Sequence, residues 1–385
     1  MRKEHLHILI ANSSRKWIGE AAHTLLLCRR YIQRGHQVWL ACRRGKELEH
    51  RAHSIDNLHV IPLNFWSRFH PLYDLGDMLH LRRIILSHNI DIMHVHRGKE
   101  HWLGAMTLLS LRHHRPRLVR TRHVVVPMKQ HIFNKWLFHK GTDGIISVSL
   151  PAKTSMGALI QHISPERSPV IHSAVDRSIF SPEKRSETLR NRLGVGTDQI
   201  LIGLIARFQK VKGQIPFLHA ARKLLDDSSL KGKVKFLLAG RDAQHFKYKF
   251  EHLTESPGLH NEVLLLENVE DIPELLASLD IGVVASLGSE GWSRITMEYM
   301  ASGVPVVASR VGGIPELIQH EQTGLLIEPG NIEEMASAIQ RLIDAPELQA
   351  LLVKNSLAYC TMHLDPDRFI NDMLNFYYTL LEEKQ

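Results

Sequence analysis

Leu6-His7-Ile8-Leu9-Ile10-Ala11, the loop Asn12 to Gly19, the run Ala22 to Gln33 closed by Gly35, and Gln37-Val38-Trp39-Leu40-Ala41-Cys42 together decide the fold. The first six residues are short, apolar and rich in isoleucine and leucine, the pattern of a buried strand. Ala22 to Gln33 carries its apolar residues at helical spacing. Gly35 is the residue type that ends a helix in the left-handed conformation. Gln37 to Cys42 reads as a second buried strand. Strand, helix and strand in this order form a βαβ unit.

Outward from this unit the alternation continues. Strands are predicted at Leu58–Pro62, Ile90–Val95, Arg117–Arg122, Gly144–Val148 and Ser168–Ile171. Asp176 to Pro182 reads as a crossing segment. A second set follows at Ile200–Ile205, Lys235–Ala239, Val263–Leu266, Ile281–Ala285, Pro305–Ala308 and Gly324–Ile327, with helical stretches between. Such alternation argues α/β architecture with parallel sheets. The expected organisation is two Rossmann-like domains, residues 1–176 and 177–365, followed by an amphipathic helix at about 366–385. In open parallel sheets, ligands bind beyond the carboxyl ends of the strands. Two such sheets facing each other would make a deep cleft, and the loops after the strands are where function should lie.

The 385 residues suit two domains. A hydrophobic share of 44% against 23% charged supplies two cores. No run approaches the roughly 20 apolar residues that span a bilayer. Ile8-Leu9-Ile10 is too short for a signal peptide core, so a cytoplasmic protein is expected. Cys28, Cys42 and Cys360 are sparse, odd in number and without metal spacing, which predicts buried free thiols. Charge is uneven. Residues 1–180 hold 27 Lys and Arg against 12 Asp and Glu, a net of +15, while the remaining 205 hold 21 against 28, a net of −7. The first 180 residues also carry 20 of the 26 histidines. The N-terminal half is therefore built to face anions.

Three loops carry candidate chemistry. Ser289-Glu290-Gly291-Trp292-Ser293-Arg294-Ile295-Thr296-Met297-Glu298 follows a strand and opens a helix. Free N–H groups at that helix start make an anion site, and Glu298 can accept hydrogen bonds from sugar or ribose hydroxyls. The same spacing also suits an ordinary helix start with Glu290 as its cap. Arg207 and Lys212-Gly213, after Ile200–Ile205, suit a diphosphate, Arg as a fork and Lys as a point charge. A solvated loop is the alternative. Ser309-Arg310-Val311-Gly312-Gly313-Ile314-Pro315-Glu316 offers paired glycines for close backbone approach, or simply a capped helix.

The order of these motifs resembles the family 4 glycosyltransferases. The residues that carry the likeness are Glu290-x7-Glu298, Met300-Ala301-Ser302-Gly303-Val304-Pro305-Val306-Val307-Ala308, Gly312-Gly313-Ile314-Pro315-Glu316 and Thr323-Gly324-Leu325-Leu326. Val170-Ile171-His172-Ser173-Ala174-Val175-Asp176 to Phe180-Ser181-Pro182 is similar to the family's linker. The likeness covers nearly the whole chain and is stronger in the C-terminal half. It implies a GT-B fold, with two Rossmann-like domains facing across a deep cleft, and a retaining, metal-independent hexosyltransferase without a cofactor. The co-substrate would be a UDP-, GDP- or ADP-linked sugar. By resemblance, Glu290 contacts hydroxyls of the transferred sugar, Glu298 holds the ribose, and Arg207 and Lys212 stabilise the departing diphosphate. Gly291, Trp292, Ser293, Ile295 and Thr296 complete the donor site, with Trp292 in place of the usual phenylalanine. His123, in Arg120-Thr121-Arg122-His123, matches a histidine near the reacting carbon. Gly19 matches the loop that approaches the donor phosphate, although Ile18 stands where a second glycine is usual. Ser173-Ala174 replaces the usual Asn-Gly. The last helix, around Phe369 to Leu381, is expected to pack on the N-terminal domain.

The acceptor half is read by charge. His94-x-His96 with His101 nearby lacks a carboxylate or cysteine partner in sequence, so no metal is expected, and His94-Val95-His96 is expected to line an acceptor cleft. No nucleic-acid motif is present. Arg112, Arg115, Arg117, Arg120 and Arg122 are read as meeting phospholipid or an anionic glycolipid. Phe65-Trp66-Ser67-Arg68-Phe69 and Ile132-Phe133-Asn134-Lys135-Trp136-Leu137-Phe138 interleave aromatics with bases. They suit either an anionic membrane surface, on which the protein would be peripheral, or ordinary packing. The acceptor is expected to be a glycan or glycolipid of lipopolysaccharide or envelope polysaccharide biosynthesis. The competing readings are a phosphorylase or synthase on a soluble sugar, and a non-catalytic GT-B-like binding module.

Overall fold

A computed structural model describes residues 3–111, 114–242, 245–288 and 290–383. Ser289, Arg112 and the last two residues of the expected C-terminal helix lie outside the described residues. The chain divides into two compact units. The first runs to Ser173 and includes the segment from Pro366 onward; the second is Ala174–Asp365.

In the first unit six strands are β1 (His7–Asn12), β2 (Gln37–Arg43), β3 (Leu58–Leu63), β4 (Ile92–Val95), β5 (Arg117–Arg122) and β6 (Gly144–Ser147). They form one sheet in the order β3-β2-β1-β4-β5-β6, and their pairings are parallel, with Ile8 opposite both Val38 and Ile92. The order reverses between β1 and β4, which makes a topological switch point there. Leu9, Ala41, Met93 and Leu118 are buried with Leu81, Ile85, Leu103, Leu108, Leu137 and Phe138 from the helices over one face. The final helix, Pro366–Glu382, buries Phe369, Ile370, Met373, Phe376, Tyr377 and Leu380, a stripe at helical spacing. It meets the helix Gly19–Gln33, where the Tyr31 hydroxyl donates to Tyr377 at 3.0 Å. Gly144 leaves room for it: a Cβ there would lie 2.6 Å from Leu380 and Phe376.

The second unit repeats the plan. Its strands are β7 (Ile200–Ile205), β8 (Val234–Gly240), β9 (Val263–Glu267), β10 (Ile281–Val284), β11 (Val306–Ser309) and β12 (Leu325–Ile327). The sheet order is β12-β11-β10-β7-β8-β9, with the switch point between β7 and β10. Phe217, Phe236, Val283, Val307 and Ile339 lie in its core.

Two sequence expectations fail here. Ser168–Ile171 is not a strand; it reaches the sheet only through an isolated bridge between Ser147 and Val170. Phe65 is not part of an exposed aromatic segment. It is 1% exposed, with Asp77 accepting from the backbone N–H groups of Asn64 and Phe65. All three cysteines are free and buried. Among the described residues no helix is long and apolar enough to cross a membrane.

Candidate functional site

In the second unit the two loops that leave the switch point meet. Leu287 donates its backbone N–H to Val211 at 2.8 Å, tying the loop after β10 to the loop after β7. Gly213 begins the helix Gln214–Leu225 at φ +75°, and a Cβ on it would fall 1.9 Å from the Ala285 carbonyl oxygen. Only glycine allows that approach. The result is that Lys212 Nζ pairs with Glu290 Oε1, the same oxygen that accepts from Ser286 Oγ at 2.6 Å. Glu290 is 7% exposed. A third loop supports it: Gly313 donates its N–H to the Glu290 carbonyl at 2.9 Å.

Arg207 is half-buried on the same loop as Lys212. Its backbone carbonyl accepts from Gln214 at 3.0 Å, which fixes the main chain. Burial lowers its guanidinium from the ordinary arginine value, with Glu290 pulling the other way. The guanidinium makes no hydrogen bond or ion pair among the described residues, so its donors are available to an anion.

The helix Arg294–Ala301 has Ser293 at its N-cap position, and the cap makes no side-chain hydrogen bond. Ser293 Oγ accepts from Thr296 Oγ1 at 2.9 Å instead. The first N–H groups, at Ile295 and Thr296, thus belong to a helix start without a side-chain cap, a favourable place for an anion. Glu298 lies one turn in and is 9% exposed, with Arg294 donating to its Oε1 at 2.6 Å and 3.2 Å. Trp292 is nearly buried and donates Nε1 to Met297 Sδ at 3.0 Å. Gly291 lies on the connecting loop. Nine of the eleven residues expected from sequence therefore sit in this unit, on the loops that follow β7 and β10 and in the first turns of the helix Arg294–Ala301. Sequence reading missed Ser286 and Arg294. Their signals were present: Ser286 stands directly after a strand, and Arg294 precedes Glu298 by one helical turn.

Gly19 and His123 lie in the first unit. Gly19 is the first residue of its helix and is exposed. His123 follows β5, and its Nε2 lies 3.0 Å from His96 Nδ1. His23 completes a group of three rings, its centroid 4.9 Å from that of His123 and 5.7 Å from that of His96. Burial holds the imidazoles of His94, His96, His101 and His123 well below the usual histidine range, with neighbouring cationic and histidine groups acting in the same direction. Glu20, one turn before His23, has its carboxyl pushed up to about 7 by burial, against the pull of Arg97 at 3.5 Å.

The expectation that His94 and His96 line a cleft is corrected: His96 is 1% exposed. His94 is 0% exposed and contacts Thr121 Oγ1 and the Tyr377 hydroxyl, each at 2.6 Å. His101 is 1% exposed and contacts Thr142 at 2.7 Å. Both are core histidines with polar partners. The reading of the arginines as a lipid-facing set is corrected too. Arg115 and Arg117 pair with Asp143 at 3.1 Å and 3.2 Å. Arg120 and Arg122 are each 7% exposed. They point inward because β5 is an interior strand with both faces covered.

Comparison with known proteins decides the family. Residues 18–179 match the family model Glycosyltransferase Family 4, and residues 185–358 match Glycosyl transferases group 1. The chain belongs to the family 4-like glycosyltransferases. It is similar to the N-acetyl-alpha-D-glucosaminyl L-malate synthase of Bacillus anthracis, 24% identical over 88% of this chain and 92% of that protein. It is also similar to the UDP-Gal:alpha-D-GlcNAc-diphosphoundecaprenol alpha-1,3-galactosyltransferase of Escherichia coli, 25% identical over 70% of this chain and 71% of that one. Among solved structures, a glycosyltransferase from Rickettsia africae ESF-5 superposes with a TM-score of 0.88 at 21% identity, covering 98% and 99% of the two chains. Anabaena Alr3699/HepE, solved with UDP and glucose, gives 0.81 at 23% identity over 96% and 99%. The structural likeness establishes the GT-B glycosyltransferase fold.

Proposed function

We propose that this glycosyltransferase moves a sugar from a nucleotide-sugar donor to a glycan or glycolipid acceptor with retention of configuration, and that the donor binds on the loops after β7 and β10. The observation that carries this reading is the group Arg207, Lys212 and Glu290. A half-buried guanidinium without an ion-pair partner stands beside an ammonium held by a buried carboxylate, next to a helix start without a side-chain cap. That arrangement suits a diphosphate whose charge grows as the glycosidic bond breaks. Donors fixed before the reaction stabilise such charge without reorganisation, and one such donor is worth about 3 kcal/mol. Two protein cations at the diphosphate leave no need for a metal there. Glu290, fixed by Ser286 and Lys212, would accept from hydroxyls of the transferred sugar, and Glu298 from the ribose. Gly291, Trp292 and Ser293 would wall the sugar pocket.

The acceptor role is assigned to the first unit, where Gly19 and His123 are the residues that match the family's pattern. The Escherichia coli relative acts on a diphosphoundecaprenol-linked acceptor by its name, which supports an envelope glycolipid such as a lipopolysaccharide precursor. Exposed Trp66, Phe69, Leu72, Leu75, Ile132 and Phe133 stand among exposed Arg68, Lys129 and Lys135. Exposed apolar side chains interleaved in sequence with bases suit the surface of an anionic membrane. Flotation with vesicles of anionic lipid tests this; absence of binding at low salt would exclude it. Thermal-shift screening against UDP-, GDP- and ADP-sugars tests the donor reading, because a ligand that binds the native state raises its apparent stability. A phosphorylase would instead require inorganic phosphate for turnover, and a binding module would release no nucleotide.

A further inference from the structure

Among the described residues, both carboxylates of the donor site are held through one oxygen only. At Glu290, Oε1 accepts from Lys212 Nζ and from Ser286 Oγ. At Glu298, Oε1 accepts from Arg294 Nη2 and Nε, at 2.6 Å and 3.2 Å. A carboxylate oxygen has two lone-pair positions, so two donors fill Oε1 of each residue. Neither Oε2 takes a hydrogen bond among the described residues, and neither is among the buried polar atoms left without a partner. Each Oε2 is therefore the oxygen that reaches solvent. We propose that Arg294 is a positioning residue: it pins Oε1 of Glu298 and so presents Oε2 to a ribose hydroxyl of the donor. The proposal rests on the reading that Glu298 holds the ribose, and adds a residue that acts on the donor only through that carboxylate.

Helix stability does not account for this arginine. Arg294 is the first residue of the helix Arg294–Ala301. The amino end of a helix carries partial positive charge, so a cation there is disfavoured. A cation four residues before a carboxylate is also the weaker order for a helical pair. The arginine side chain is 33% exposed, and ion pairs open to water add little. What the pair supplies is orientation. The guanidinium is a planar fork, and its two bonds to one oxygen fix the plane of the carboxylate and leave the other oxygen with a set direction. The same division holds at Glu290, where Ser286 and Lys212 take the place of the fork. A side chain pinned before the ligand arrives avoids the about 2- to 10-fold loss of affinity that immobilising it on binding would bring.

Calorimetric titration of the full chain, wild type and Arg294→Met, with UDP, GDP and ADP and with the 2′-deoxy and 3′-deoxy form of each, tests this. In wild type, loss of the hydroxyl that Oε2 accepts should weaken binding about 10- to 100-fold, the range for a hydrogen bond to a charged group. Arg294→Met should weaken the parent nucleotide about 2- to 10-fold and leave that deoxy form at its wild-type affinity, so the penalty for the missing hydroxyl shrinks. Arg294→Lys, which keeps one donor for Oε1, should fall between the two proteins. Circular dichroism checks the fold; if Arg294→Met does not fold, Arg294→Lys carries the test. A penalty that both variants leave at its wild-type size overturns the proposal alone. That holds whether parent and deoxy forms weaken alike, as they would if Arg294 touched the phosphates, or do not weaken at all. If none of the three nucleotides binds, or if no deoxy form differs from its parent in wild type, Glu298 does not hold a ribose, and the donor reading falls together with the proposal.

Discussion

Gly312→Ala should uncouple catalysis from stability. Gly312 has φ +55°, and a Cβ added to it would lie 1.7 Å from the carbonyl oxygen of Glu290. Ordinary contact begins near 3.4 Å, so the two backbones must part by about 1.7 Å. The backbone conformation itself costs an alanine about 1–2 kcal/mol. The displacement is the larger consequence, because it moves the main chain that aims the Glu290 carboxylate at Lys212 and Ser286. A shift of about 1 Å at a reacting group costs on the order of 100-fold in rate. The expected result is a kcat lowered at least about 100-fold, with a Tm lowered by only a few degrees. Gly194→Ala separates the two causes. It shares the left-handed conformation, at φ +69°, but a Cβ there meets nothing within 4 Å. It should lose a similar Tm and keep its kcat. Donor-sugar transfer or hydrolysis gives kcat, and circular dichroism gives Tm. A Gly312→Ala protein with kcat within about twofold of wild type would refute the placement of Glu290.

Lys212→Ala should lower kcat by about 100- to 1,000-fold, the range for removing one preorganised donor, with a smaller change in KM; steady-state kinetics with the preferred donor checks it. The first unit should be acid-labile. His36, His94, His96, His101 and His123 are all held below the usual value of 6.5 by burial, so their contribution is fully present above pH 6.5 and is lost as the pH falls through it. One pH unit lower, each costs about 1.4 kcal/mol, and five cost on the order of 7 kcal/mol, comparable with the stability of a domain. Five of the six tryptophans lie in this unit, so intrinsic fluorescence reports on it; a signal unchanged down to about pH 5 would contradict the prediction. Glu20 acts in the opposite sense. Its carboxyl is raised from 4.5 to about 7, which favours the folded state less and less as the pH rises between these values, by about 3 kcal/mol in all. Urea midpoints should therefore show Glu20→Gln gaining over wild type more at pH 8 than at pH 6.

The fold was legible because its signals are local. Short apolar runs separated by helical spacing gave parallel strands, and each predicted run except Ser168–Ile171 is a strand within two residues of its expected limits. That exception is apolar enough for a strand but touches the sheet at a single bridge. The donor loops were legible for the same reason: Arg207, Lys212 and Glu290 each follow a strand, and sheet topology brings such loops together. What the sequence hid depends on partners distant along the chain. Arg117 reads as surface charge until Asp143 pairs with it. Phe65 reads as an exposed aromatic until Asp77 fixes its backbone. His23 carries no signal of its own, and only the convergence of β1, β4 and β5 sets it beside His96 and His123. Counting charge also assumed that arginines face solvent, which an interior strand such as β5 does not allow.

Calorimetric titration of wild type and Glu298→Ala with the nucleotide-sugar that gives the largest thermal shift tests the donor site most directly. Glu298 is buried one turn into the helix Arg294–Ala301 and, among the described residues, makes its ion pair only with a partly exposed arginine on the same helix, so its loss should leave the fold intact. With the donor on the loops after β7 and β10, Glu298→Ala loses at least about tenfold in affinity, or about 1.4 kcal/mol, at an unchanged circular dichroism spectrum. Equal affinity in the two proteins would place the donor elsewhere.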